Sequence, residues 1–196
     1  IGSPMPKFTF GWTNTFRYKN FDLSVFINGS YGNKVYNYLS MKLTHMNSPW
    51  TNQLNAVNGR AQLVPINPNK VYEDGTMWYN DVSNVMVANP GASIPRATIN
   101  DPNDNDRISD RYIEDGSYIR LKNISLGYTF PKKTIDKLGL SNLRIYANIQ
   151  NLLTITGYDG YDPEIGASTS SVNVYGLDNG RYPSPTVYSF GLNVSF

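Results

Sequence analysis

The chain has 196 residues and a net charge of +2, with 16% charged and 13% aromatic residues. The charged fraction is well below the ~25% of ordinary soluble proteins, and the scattered Lys and Arg residues exclude a basic nucleic-acid-binding surface. The absence of cysteine excludes a disulfide framework and a thiolate metal site. No segment approaches the ~20 apolar residues of a membrane helix, so any passage through a membrane must use strands.

Two strands joined by a tight turn are predicted over about residues 7–18 and 21–30. Large apolar side chains alternate with polar ones in both segments, which places the apolar side chains on one face of each strand. Lys19-Asn20 forms the turn, with Asn20 available for a left-handed backbone conformation. The pattern therefore predicts a hairpin.

The alternation is absent from about residue 33 to residue 116, which we predict to be a long loop with short helices. Ser48-Pro49 is a suitable N-cap and first turn for one helix that continues to Val57. The remainder is rich in Pro, Asn and Asp, which is typical of loops. A preceding amphipathic helix is indicated by apolar residues at helical spacing: Val35, Tyr38, Leu39, Leu43 and Met46.

Three more strands are predicted over about residues 118–130, 143–153 and 186–196. The apolar phase of the first changes near Lys122-Asn123, which predicts a β-bulge. A polar turn with a short helical stretch covers 131–142, and a second loop covers about 156–185. In the last strand the even positions are large and apolar from Tyr188 to Phe196, whereas the odd positions are small, polar and uncharged.

An uncharged apolar face opposite a small polar face is typical of a transmembrane β-barrel, where a Lys or Arg in the lipid costs about 2–4 kcal/mol at the bilayer centre. The predicted fold is therefore an all-β antiparallel barrel, with short periplasmic turns and extracellular loops at 33–116 and 156–185. Five strands cannot close a barrel without edges exposed to lipid. We expect residues 1–196 to be the C-terminal part of a larger exported protein, and Ile1 to be an internal point of it.

Several ordered motifs have a familiar form: Ile1–Gly11 (IGNPxPxFxxG), Tyr18–Leu23 with Gly29–Asn33 (YKGFDL…GxxGN, with Asn20 in place of the usual Gly), Asp115–Asn123 (DGSYxRLKN), Asn151–Tyr158 with Gly160–Glu164 (NLxTxTxYxGxDPE), Tyr182-Pro183 and Phe190–Phe196. Together they resemble the SusC/RagA-like TonB-dependent transporters of Bacteroidetes outer membranes. The resemblance covers the whole chain except most of the 33–110 loop.

The resemblance implies a 22-stranded barrel, the size of the plugged outer-membrane transporters, of which these would be the last five strands. It implies an N-terminal plug domain that this sequence does not contain, and import of oligosaccharides or peptides with energy relayed by the TonB complex. A SusD-like surface lipoprotein would cover the barrel and deliver the substrate.

Aromatic residues of the predicted extracellular loops are candidates for contact with substrate or with the lid, because aromatic faces stack on sugar rings and apolar groups: Trp50, Trp78, Tyr79, Tyr158, Tyr161 and Tyr175. Packing within the loop is the alternative role for each. Phe196 is the candidate recognition residue for the barrel-assembly machinery. The segment Asp101–Asp106, with Asn103 and Asp104, offers oxygen ligands for Ca²⁺, although a solvated acidic loop is the simpler interpretation.

An enzyme is not expected. His45 is the single histidine, and no serine–aspartate partnership accompanies it in the sequence. Two alternatives to an importer stay open at this point. One is a passive porin-type channel, and the other is a soluble β-sandwich carbohydrate-binding module, which also alternates and displays aromatic residues.

Overall fold

The computed structural model describes residues 1–164 and 175–196, which form two units: residues 1–37 with 113–196, and residues 38–112. The strands and helices in chain order are β1 (Phe8–Tyr18), β2 (Phe21–Tyr31), β3 (Lys34–Asn37), α1 (Tyr38–Thr44), β4 (Leu63–Pro65), β5 (Val85–Val87), β6 (Ile113–Asp115), β7 (Tyr118–Thr129), α2 (Lys132–Ile135), β8 (Asn142–Thr156), β9 (Leu177–Asp178) and β10 (Val187–Ser195). Within the described residues, no helix has the length and apolar character needed to cross a membrane.

The first unit is built on a five-stranded sheet in the order β1-β2-β7-β8-β10. Every neighbouring pair is antiparallel. The β1–β2 hairpin keeps one register from Phe8↔Tyr31 to Tyr18↔Phe21. Its turn has a positive φ of 52° at Lys19 and not at Asn20, to which the sequence had assigned that conformation. A positive φ at the first turn residue alone matches the hairpin-favouring primed turns.

One face of this sheet is apolar and exposed along its whole width. A single row crosses all five strands through Tyr18, Phe21, Tyr128, Ile145 and Leu192, each paired with the next. Phe21 and Tyr128 have ring centroids 4.7 Å apart. Contiguous exposed apolar surface of this kind is rare on soluble monomers. It is what a barrel wall with an aromatic girdle presents to lipid.

The β-bulge predicted at Lys122-Asn123 is confirmed. Leu121 and Asn123 of β7 pair with Ile27 and Phe26 of β2, so that Lys122 is left out of the ladder. The β7–β8 pairing shifts at the same level, where Asn151 of β8 has a φ of 52°. The bulge keeps the apolar side chains before and after it on one face.

A second, three-stranded sheet in the order β6-β3-β9 lies in the first unit, inside the segments predicted as loops. β3 pairs with β6 in the antiparallel sense and with β9 in the parallel sense. Val35 of β3 is 1% exposed. The helix predicted from Val35 to Met46 is therefore shorter in the structure, where α1 covers Tyr38–Thr44.

The helix predicted from Ser48-Pro49 to Val57 is wrong. The Ser48 side chain accepts a hydrogen bond from the Trp50 amide (3.2 Å), and the Ser48 carbonyl accepts one from the Thr51 hydroxyl (3.3 Å). Such local bonds favour a turn over a helix. A 3₁₀ helix begins only at Asn55 and ends at Gly59.

The polar turn between β7 and β8 contains the predicted helical stretch. α2 is followed directly by a 3₁₀ helix, Asp136–Leu138, which ends at Gly139 with a φ of 68°. The left-handed conformation at Gly139 is the usual helix stop. Ile135, 2% exposed, fixes the turn by burying its side chain.

Candidate functional site

The polar face of the large sheet carries a cluster of charges around Arg120 of β7, whose side chain is 3% exposed. Its guanidinium donates hydrogen bonds to Thr154 Oγ1 (2.8 Å), to Glu164 Oε2 (2.7 Å) and to Asp162. Lys122 Nζ donates to the same Glu164 oxygen (2.6 Å). A buried arginine must have its charge matched, and here Asp162 and Glu164 supply the match.

The Arg120 cluster fastens the segment after β8 to the sheet. Burial alone would raise the pKa of Asp162, but hydrogen bonds from Arg120 and from the Ser184 and Glu164 amides hold it below its ordinary value. The amides lie 3.0 and 2.9 Å from the Asp162 oxygens. Because these two carboxylates are committed to cations and amides, the Asp159/Asp162/Glu164 group does not offer the free oxygen ligands of a Ca²⁺ site.

A second buried contact holds the same segment near the small sheet. The Tyr158 hydroxyl, on a side chain 5% exposed, donates a 2.5 Å hydrogen bond to Asp178, which is 2% exposed. Burial, followed by this hydrogen bond, raises the pKa of Tyr158. Tyr158 was a candidate for ligand contact, and the structure shows it packed inside its own unit instead.

The second unit contains a cleft of about 920 Å³. Trp78 and Tyr79, both predicted candidates, meet there as an edge-to-face pair with centroids 5.7 Å apart. The cleft wall includes two arginines and no acidic residue. Its lining residues are Arg60, Ala61, Gln62, Leu63, Trp78, Tyr79, Asn80, Arg96, Ala97, Thr98, Ile99, Asn100 and Pro102.

Polar networks hold the backbone around this cleft. The Arg60–Gln62 segment lies beside Ile94 through a parallel bridge and the Ala61 amide (2.8 Å to the Ile94 carbonyl). Asn89 accepts from the Gln62 amide (2.8 Å) and donates to the Arg60 carbonyl (2.9 Å). The walls of the cleft are therefore fixed by main-chain bonds and leave the side chains to face a ligand.

The turn that presents Trp78 and Tyr79 is anchored at Asp81. Its carboxylate accepts from Lys70 Nζ (2.5 Å), the Tyr72 hydroxyl (2.9 Å) and the Ser83 hydroxyl (2.6 Å). The hydrogen bonds from Lys70, Ser83 and Tyr72 hold the pKa of Asp81 well below its usual range. Asp81 stays ionised in any physiological setting and keeps the turn in place.

The predicted calcium segment gathers differently from the expectation. Asp101 and Asp106 lie close to His45, with Nε2 2.9 Å from Asp101 and Nδ1 4.0 Å from Asp106. Burial would raise the pKa of Asp101, but hydrogen bonds from Asn105 and His45 lower it overall. A histidine nitrogen is a poor ligand for Ca²⁺ and suits transition metals better. Calcium binding stays a prediction.

Four predicted residues lie on exposed surface, outside the clefts described above. Trp50 is 92% exposed, Tyr161 63%, Tyr175 60% and Phe196 94%. Arg60 and Arg96 were missed by the sequence reasoning, as was the cluster around Arg120. Arg120 had a visible signal, since an arginine inside an uncharged strand needs a carboxylate partner. No local pattern singled out the two cleft arginines.

A sheet with an exposed, uncharged apolar face and an ion-paired polar face defines a wall segment of an outer-membrane β-barrel. No protein-family model matches the chain. Over 100% of its length the chain is 36% identical to TonB-dependent receptor P3 of Formosa agariphila and covers 17% of that receptor. It is 29% identical to TonB-dependent receptor SusC of Bacteroides thetaiotaomicron over 95% of the chain and 15% of the receptor.

The structure of the RagAB peptide transporter is similar in fold. It matches 100% of this chain and 18% of its own chain, with a TM-score of 0.67 and 21% identity. The chain belongs to the SusC/RagA-like TonB-dependent receptors of the bacterial outer membrane. It spans about a sixth of the length of the curated relatives that it matches.

Proposed function

We propose that this chain forms one sector of the barrel wall, with its loop unit, of a TonB-dependent importer of oligosaccharides or peptides. The observation that carries the proposal is a five-stranded sheet with an uncharged apolar face, in a chain that TonB-dependent receptors match over its whole length. Transport, substrate and partners belong to the whole receptor, of which the matched part is 17–18% in receptors P3 and P26.

In this proposal the five strands are the last of 22, and a plug domain elsewhere in the receptor closes the lumen. The short turns at 19–20 and 131–142 lie at the periplasm, and the segments 33–116 and 156–185 lie at the cell surface. The assembly machinery recognises Phe196 at the end of the terminal strand. The 94% exposure of Phe196 supports this role.

A SusD-like lipoprotein and the TonB complex are the proposed partners. The similarity to a receptor named SusC and to a RagAB peptide importer supports both the lipoprotein partner and a nutrient substrate. Trp50, Tyr161 and Tyr175 are the proposed contacts for the lid, because large exposed aromatic rings are enriched at protein interfaces. The similarity to receptors favours transport over catalysis.

Uptake of labelled oligosaccharides and peptides by intact cells tests the proposal. Cells with the receptor gene should accumulate one of the two classes, and both gene deletion and a protonophore should abolish accumulation, since TonB works from the inner-membrane proton gradient. Uptake that persists with the protonophore would establish the passive porin instead. A receptor recovered from the aqueous phase without detergent would establish the soluble carbohydrate-binding module.

A further inference from the structure

We propose that the cleft of residues 38–112 binds oligosaccharides that carry sulfate or carboxylate groups. The inference rests on the proposed importer and specifies its substrate class. It is carried by two guanidiniums without ion-pair partners, placed beside an aromatic pair in one cleft of about 920 Å³.

The two arginines are available for an anion. The ion pairs of this unit join His45 to Asp101 and Asp106, and Lys70 to Asp81. Within the part of the chain that the structure describes, no ion pair involves Arg60 or Arg96. Arg60 Nη1 donates only to the Val57 carbonyl, at 3.3 Å. A guanidinium fork with free N–H groups matches the two oxygens of a carboxylate or sulfate.

The remaining lining favours a sugar backbone. Side-chain amides of Gln62, Asn80 and Asn100 offer both donors and acceptors, as hydroxyl groups require. The Trp78 and Tyr79 rings supply apolar faces for the C–H side of a sugar ring. A cleft of this size lies within the range of small-molecule sites.

Recognition of a peptide main chain is disfavoured on the Arg60–Gln62 segment. An added peptide strand needs free backbone amides and carbonyls at an edge. Here the Ala61 amide is bonded to Ile94, and the Gln62 amide and carbonyl are bonded to Asn89 and Ala88. The side chains and not the main chain are left to select the ligand.

Isothermal titration calorimetry on the full-length receptor in detergent tests the inference. The probes are a sulfated dextran oligosaccharide, an oligogalacturonate and the neutral dextran oligosaccharide. At least one anionic probe should bind roughly tenfold or more tightly than the neutral one, since charge-assisted bonds are the strong ones. Which anionic probe binds distinguishes sulfate from carboxylate. Equal binding of all three probes would overturn the inference.

Variants locate the site. Arg60→Gln/Arg96→Gln should lose the preference for the anionic probe by roughly tenfold or more, whereas Arg60→Lys/Arg96→Lys should retain part of it. Arg107→Gln is the matched control, since it removes the same charge from an exposed position of the same unit outside the cleft. Equal losses for the control and the double variant would contradict the inference. Heat-modifiable migration in electrophoresis reports that each variant is folded.

Two further outcomes separate this inference from the importer itself. Binding in detergent needs no TonB complex, so protonophore-insensitive uptake would contradict the importer while the titration result stands. Protonophore-sensitive uptake together with tighter binding of poly-glutamate than of either anionic sugar would contradict the sugar cleft and leave the importer intact. Trp78→Ala should weaken the anionic sugar and leave inorganic sulfate binding unchanged, and the reverse result would contradict the role of the ring.

Discussion

Arg144 of β8 reaches across the intervening strand β7 to bind Asp22 of β2. Its Nη2 lies 2.6 Å from Asp22 Oδ2 and its Nε 3.1 Å from Oδ1. Between them lies Gly127, where a side chain would meet Arg144 Nη2 at 2.3 Å and Asp22 Oδ1 at 2.6 Å. The polar face of the sheet therefore joins strands that are not neighbours, because the residue between them has no side chain.

Removal of this ion pair should have a modest effect on stability. Arg144→Gln is expected to lower the free energy of unfolding by about 1 kcal/mol or less, because both side chains are about a quarter or more exposed (26% and 31%) and water screens them. Urea unfolding of the receptor in detergent measures the change. Lys137→Gln, on the exposed turn, removes an equal charge and should be neutral. A loss of several kcal/mol for Arg144→Gln would contradict the screened-pair interpretation.

Gly29 of β2 should not tolerate a side chain. A Cβ there would lie 2.6 Å from the Tyr118 carbonyl oxygen of the adjacent strand and 2.5 Å from the Phe10 ring. The carbonyl belongs to the sheet backbone and cannot move freely, so Gly29→Ala should cost about 1–3 kcal/mol. Gly157→Ala is the control, because nothing lies within 4 Å of its Cβ position. Equal unfolding free energies for the two variants would show that β7 lies elsewhere.

The predictability of the fold can be judged against these residues. The alternation of Leu192 with Asn193, and the phase change at Lys122, are local patterns, and they sufficed for the large sheet. Strands of two to four residues such as β3 and β9 are too short to show a period of two. The cleft arginines Arg60 and Arg96 are 36 positions apart in the numbering, and only the folded backbone brings them together.

The Asp162 contacts predict a dependence on pH. Its folded pKa lies below the ordinary 3.8, so the carboxylate contributes stability above that value, and the contribution is lost as pH falls through the folded pKa. Hydrogen exchange at the Glu164 and Ser184 amides, corrected for the intrinsic rate, should accelerate on such acidification. Asp162→Asn should show fast exchange already at neutral pH. Slow exchange in this variant would mean that the carboxylate does not hold these amides.

The buried Tyr158–Asp178 bond should stabilise the end of the 157–185 segment. Tyr158→Phe leaves the Asp178 carboxylate with the Gly180 amide (2.9 Å) as its remaining donor, at a cost of about 1–3 kcal/mol of local stability. Faster hydrogen exchange in β9 measures the loss. Tyr161→Phe removes a hydroxyl from a side chain 63% exposed and should change nothing. Unchanged exchange in Tyr158→Phe would show that the hydroxyl is not needed there.

The central claim is that the apolar face of the sheet contacts lipid, and β10 offers the most direct measurement. The chain has no cysteine, so single cysteines at successive positions from Tyr188 to Val194 can carry a nitroxide label in outer membranes. Accessibility to oxygen, which dissolves in lipid, should peak at 188, 190, 192 and 194, and accessibility to a water-soluble nickel complex should peak at 189, 191 and 193. High nickel accessibility on both faces, or no period of two, would contradict a barrel wall and with it the importer.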